Sequence, residues 1–169
     1  MSGPNSNPAV SALQSYRTPP EFLDAVQRKF DTTIAFDLAC TAEDKVAPHG
    51  FEHPTHDALA SAWPTIDGRF AAWCNPPFAK AGSFARVAAE SPHCRTLMLI
   101  PASVGTRWWA EHVDGRALVV MLRPRIVFLQ PDGTPCVDKE GREVGINRDC
   151  ALLAYGWTPG YVCADWREW

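Results

Sequence analysis

Asn75-Pro76-Pro77-Phe78 holds the residue types in this chain best suited to chemistry, and it follows the apolar run Phe70-Ala71-Ala72-Trp73-Cys74, where a buried strand ends. Two consecutive prolines lack a backbone N–H and hold φ at about −65°, so they cannot continue a sheet ladder and leave their carbonyls free as acceptors. Asn75 adds a side-chain carbonyl beside them. An exocyclic amine has two hydrogens to give. A rigid pair of acceptors holds it while its nitrogen lone pair turns toward an electrophile. Phe78 offers a flat apolar face on which a planar base can stack. The same four residues also suit a strand end followed by a Pro-Pro turn, so the motif takes its meaning from its surroundings.

Thr18-Pro19-Pro20-Glu21 has the form of a capping box, with Thr18 as N-cap, proline at the first helical position and Glu21 reaching back to the cap N–H. A helix N-terminus also receives anionic groups, and the two roles can coexist. Asp37 ends a short β-rich run and is followed by Leu38, Ala39, Cys40 and Thr41, a turn of mostly small residues without the glycines that many cofactor-binding sheets carry. Thr134-Pro135-Cys136 places a cysteine after a proline, as in cytosine-C5 methylases, but in a Gly/Pro turn far from any strand end. His49, His53 and His56 with Cys40 are metal-ligating types, yet their spacing matches no zinc pattern and a polar, histidine-rich loop accounts for them.

Residues 1–14 are rich in Ser, Pro, Asn and Ala without an apolar period, the composition of a mobile arm. Residues 15–169 suit one domain. Phe22, Leu23, Val26 and Phe30 recur at helical spacing and predict an amphipathic helix ending near Phe30. Strands are predicted over residues 33–38, 70–74, 96–100 and 117–122, and helices over 82–90 and 106–113, while residues 43–62 are polar and irregular. This alternation, with apolar strands, implies an α/β fold whose parallel strands are buried on both faces. Residues 125–129 and 150–155 predict two further strands, antiparallel at the end of the sheet. The charged, Gly-containing stretch 131–149 between them is a long loop, of the kind that is functional or disordered. In such a sheet ligands gather at the carboxyl ends of the strands, where Asp37, Asn75 and Pro101-Ala102-Ser103 fall together.

The chain has 169 residues, 46% of them hydrophobic, enough for one substantial core. It contains neither an apolar run of about 18 residues nor a charged-then-apolar leader, so a cytoplasmic location is expected. Six scattered cysteines without a CxxC pair indicate reduced, mostly buried thiols. The formal charge of −3 lacks the basic excess of a general nucleic-acid binder. The arginines are nevertheless uneven. Arg107, Arg116, Arg123, Arg125, Arg142 and Arg148 lie in the C-terminal half, and the acidic residues crowd the first part.

Taken in order, Tyr16-Arg17-Thr18-Pro19-Pro20-Glu21, Phe36-Asp37-Leu38-Ala39, His56-Asp57-Ala58-Leu59 with Trp63, Trp73-Cys74-Asn75-Pro76-Pro77-Phe78, Leu99-Ile100-Pro101-Ala102 with Thr106-Arg107-Trp108-Trp109, and Arg125-Ile126-Val127-Phe128 make a set. This set resembles the DNA adenine-N6 methyltransferases encoded by phages and prophages, over about residues 16–155. The resemblance implies a trimmed Rossmann-like fold, S-adenosylmethionine as cofactor and DNA as partner. It implies that Thr18, Pro19, Asp37, Leu38, Ala39 and Asp57, with Asn75, line the cofactor pocket, Asp57 near its adenine. Catalysis would rest on Asn75, Pro76, Pro77 and Phe78, and DNA binding on Arg107, Arg123 and Arg125 in the basic half. The Asn-Pro-Pro-aromatic motif also serves methylation of other amines or amides, such as an RNA base or a protein glutamine, and an inactive nucleic-acid-binding relative would share the fold.

Overall fold

A computed structural model describes residues 16–145 and 148–169; the expected arm at 1–14 lies outside the described residues. Helix α1 (Pro20–Phe30) begins on a proline, whose fixed φ suits the first helical position, and stops at Asp31, which turns to φ 45°. Strands β1 (Thr33–Cys40), β2 (His49–Glu52) and β3 (Phe70–Cys74) follow, then helix α2 (Ala81–Glu90), β4 (Thr96–Pro101), helix α3 (Arg107–His112), β5 (Ala117–Arg123), β6 (Cys150–Tyr155) and β7 (Gly160–Asp165).

All seven strands join one sheet in the order β2-β1-β3-β4-β6-β5-β7. β1 runs parallel to β2 and β3, β3 parallel to β4, and β5 parallel to β7, while β6 is antiparallel to β4 and β5. The α/β class and the mostly parallel sheet agree with the sequence reading, but the antiparallel strand lies inside the sheet and not at its end. Burial explains the position. Every residue of β6 is buried, as is every residue of β4, whereas β7 exposes Tyr161, Val162 and Cys163 and takes the edge.

Two other expectations are corrected. Residues 125–129 do not form a sheet strand: Ile126 and Phe128 bury themselves against the sheet face, and Leu129 pairs with Arg17 through two backbone hydrogen bonds of 2.9 and 3.0 Å. Within the polar stretch 43–62, β2 adds an edge strand with no fully buried residue, which is why no apolar period announced it. β2 approaches closely because of Gly50, where a Cβ would lie 2.7 Å from the Asp37 carbonyl oxygen.

Alternating residues of the central strands feed a core on each face. Ala72, Cys74, Met98 and Ile100 pack with α2 and Trp109 of α3, while Trp73, Leu97, Leu99 and Leu152 pack with Phe22 and Val26 of α1. From β1 the chain passes outward to β2 and then returns to β3 on the opposite flank of β1. That reversal opens a crevice at the carboxyl ends of β1 and β3.

Candidate active site

Asp37 is the fifth of the eight residues of β1, which runs on through the expected turn at Leu38 and Ala39 to Cys40, and it is 2% exposed. One carboxylate oxygen accepts the N–H of Ala39, two residues on in the same strand, and the other that of Val46, each at 3.1 Å, so the loop after β1 folds back onto it. Thr41 tightens that loop by donating its N–H and hydroxyl to the Asp44 carboxylate. Burial pushes the Asp37 carboxyl up to about 6, against the pull of the two N–H groups. Asp57 caps a turn by accepting the Leu59 N–H at 2.9 Å, and the Trp63 indole anchors the same turn by donating to the Ala58 carbonyl at 2.8 Å.

Asn75 is the first residue beyond β3, and its Nδ2 donates to Thr18 Oγ1 at 3.3 Å. The two motif carbonyls differ. That of Pro77 accepts the Lys80 N–H at 2.8 Å and starts the 3₁₀ turn Phe78–Lys80 that leads into α2. No described hydrogen bond engages the Pro76 carbonyl. The strand end therefore presents a half-buried amide beside the carbonyl of the buried Pro76, on a backbone held by two prolines.

The capping box is not formed. Because Pro20 opens the helix, the N-cap is Pro19, which has no side-chain acceptor and no N–H for Glu21 to reach. Thr18 is buried and bonded to Asn75. The helix N-terminus also offers few donors to an anion, since Pro20 has no N–H and those of Phe22 and Leu23 go to the Pro19 carbonyl.

These pieces surround a cavity of about 350 Å³, within the usual range of roughly 300–1,000 Å³ for small-molecule sites. Thr18, Asp37, Leu38, Ala39, Asp57, Asn75 and Pro77 line it; Pro19, Pro76 and Phe78 do not. A sequence profile of the Dam family, described as DNA N-6-adenine-methyltransferase, matches residues 5–156.

The chain belongs to this family. Its reaction is methyl transfer to the N6 amine of adenine in DNA, which requires a methyl donor. No curated protein matches the chain. The Dam match includes every residue of the cavity and ends just after β6, so β7 and the C-terminal turn lie outside it.

The three arginines expected at DNA are absent from the cavity wall. Arg107 is exposed and pairs with Glu111 at 2.6 Å, Arg125 pairs with Asp149 at 2.9 Å, and Arg123 is exposed at the last position of β5. Cys136 is half-buried, with a thiol pushed up by burial, the wrong environment for a thiolate nucleophile. Among the described residues no His, Cys, Asp and Glu cluster suits a metal. All six cysteines are unpaired, and Cys40, Cys74, Cys94 and Cys150 are buried. Among the described residues no helix is long and apolar enough to cross a membrane.

Sequence reasoning missed Tyr16, Arg17 and Trp73 in the cavity wall, and also Val46 and Gly50. Trp73 had a readable signal, since it adjoins the motif. Val46 acts through its backbone N–H and Gly50 through the absence of a side chain, so neither residue type could reveal its part.

Proposed function

We propose that the cavity takes S-adenosylmethionine as the methyl donor and that the target adenine is flipped out of the duplex to meet it. The observation that carries this reading is the convergence of Thr18, Asp37, Leu38, Ala39 and Asp57 with Asn75 on one cavity at the reversal of strand order. Asp37, Asp44 and Asp57 line that cavity together with Arg17 and Lys80, a mixed set that fits a ligand carrying charges of both signs. When bound, S-adenosylmethionine supplies a methyl group on a positively charged sulfur. Asp57 would hold the donor's adenine, the β1 residues Asp37, Leu38 and Ala39 would line the rest of its site, and Pro19 sets the backbone behind Thr18.

On the acceptor side, the Asn75 side-chain carbonyl and the Pro76 carbonyl accept the two hydrogens of the adenine amine. They favour the nitrogen as it becomes tetrahedral, and Phe78 stacks on the extruded base. Pro77 keeps the motif rigid. The amine would attack the methyl carbon directly as the sulfur–methyl bond breaks, and the nitrogen would then shed its surplus proton to water; with no covalent enzyme intermediate, catalysis is a matter of alignment and preorganised polarity.

DNA approaches along the carboxyl-end rim of the sheet. Strand directions support this, because β5 runs the same way as β1, β3 and β4 and ends in Arg123 on the rim that holds the cavity. Arg107, Arg125 and the described residues of the segment 131–149 complete that side. Reduced thiols fit a cytoplasmic setting for this reaction.

Modification-sensitive sequencing of DNA from cells expressing the chain should show N6-methyladenine at a defined sequence. Calorimetry should show S-adenosylmethionine binding that is weakened by Asp37→Ala and by Asp57→Ala. Methylation of RNA or protein in place of DNA overturns the acceptor, and unchanged affinity in both variants overturns the cavity assignment.

A further inference from the structure

We infer that Thr18 is a positioning residue for methyl transfer: its buried hydroxyl, 3.3 Å from Asn75 Nδ2, pins the Asn75 amide at the end of β3, where the target amine must meet it. The inference rests on the acceptor role proposed for Asn75. A carboxamide has two ends of nearly the same shape and opposite hydrogen-bonding character. Turned one way, Asn75 receives an amine hydrogen; turned the other way, it sets its own N–H groups against the substrate's. A hydroxyl both donates and accepts, so Thr18 fixes the place and plane of the amide, and the incoming amine, which offers it hydrogens, selects the oxygen end.

Thr18 has the properties of a fixed partner. It is 7% exposed and β-branched, so its rotamer is restricted. Its backbone is held on both sides, by the Arg17–Leu129 pair at 2.9 and 3.0 Å and by Pro19, whose carbonyl takes the Phe22 and Leu23 N–H groups at 3.1 and 3.2 Å. It has no capping duty in α1 that would account for the hydroxyl. The bond also links the segment before α1 to the end of β3, so the cavity wall and the methyl-acceptor motif share one contact across 57 residues of sequence.

The test combines steady-state methylation of a DNA duplex with ¹⁵N NMR of the Asn75 side-chain amide, assigned by its loss in Asn75→Ala. Thr18→Val, nearly isosteric but without the hydroxyl, should lower kcat about tenfold, the size of one lost hydrogen bond, with both KM values within twofold of wild type. Thr18→Ser should recover kcat to within about threefold. The amide resonance should move in Thr18→Val and stay near its wild-type position in Thr18→Ser. An unchanged kcat in Thr18→Val, a loss confined to the donor KM, or equal impairment in Thr18→Ser overturns the inference. If the wild type methylates no DNA, the functional reading fails instead, and the amide resonance still decides whether Thr18 orients Asn75.

Discussion

Two stretches of the carboxyl-end rim carry polar residues in opposite ways. At β1 and β3, Asp37 is buried and bonded through both oxygens, Thr18 is buried against Asn75, and the Pro77 carbonyl is taken by the turn that follows. Beyond β4 and at the end of β5, Arg107, Arg123 and Arg125 are exposed, and the ion pairs of Arg107 with Glu111 and of Arg125 with Asp149 join exposed partners. Aligning a donor methyl with one nitrogen lone pair demands groups that cannot rotate away, and burial with satisfied hydrogen bonds provides that. A phosphate surface demands local positive charge, which mobile, solvated side chains supply. The contrast implies large, specific losses at the first stretch and small, salt-dependent ones at the second.

The strongest way to break the comparison is Asn75→Ala. It should lower kcat about 10²-fold or more while leaving thermal stability near wild type, as expected for one preorganised group at a reacting centre. Wild-type turnover in single-turnover methylation would remove Asn75 from the mechanism.

Phe78→Ala comes next. It should weaken binding of a DNA site by about 1–3 kcal/mol, the usual size of base–aromatic stacking, with Phe78→Trp milder. Because Phe78 lies outside the cavity wall, donor affinity should be unaffected. Equal effects of Ala and Trp in a DNA-binding titration would rule out stacking.

Asp37 sharpens the comparison through pH. Its folded value of about 6 lies above that of an unfolded aspartate, at about 4. The folded chain therefore keeps this proton between pH 4 and 6 while the unfolded chain releases it. Its contribution to stability is full below about pH 4 and is lost as pH rises through 6. Donor binding should run the other way, since the ionised carboxylate attracts a cation: affinity should rise about tenfold from pH 5 to pH 7 by titration calorimetry. Asp37→Ala should flatten that profile, and a persistent slope in the variant would assign the titration to another group.

The smallest effect is expected at the second stretch. Arg125→Ala should weaken binding to all duplexes modestly and flatten the dependence of log affinity on log salt by about one unit, or shift site preference if Arg125 reads a base edge. Its pairing with Asp149 is an exposed one, so stability should change by less than about 1 kcal/mol. Filter binding across a salt series checks this, and an unchanged slope with unchanged site preference would move the DNA surface elsewhere.

Local patterning was enough to locate the elements and the motif. Periodicity located α1 to within its caps, and the apolar runs marked β1, β3, β4, β5 and β6 to within two residues at either end. Asn75-Pro76-Pro77-Phe78 was legible because proline forbids continuation of a strand wherever it occurs, so the chain must turn there. The same local logic failed where a segment's fate was set by distant partners. β6 entered the middle of the sheet because its apolar residues needed cover on both sides, β2 formed because Gly50 let it approach Asp37, and residues 125–129 buried their side chains without joining the ladder. Thr18 shows the limit most clearly. Its surroundings in sequence describe a helix cap, yet the prolines that follow moved the cap to Pro19, and the hydroxyl found Asn75 across the sheet instead. Hydrogen-bond partners separated by 57 residues are chosen by the packing of α1 against the sheet, and no local pattern encodes that choice.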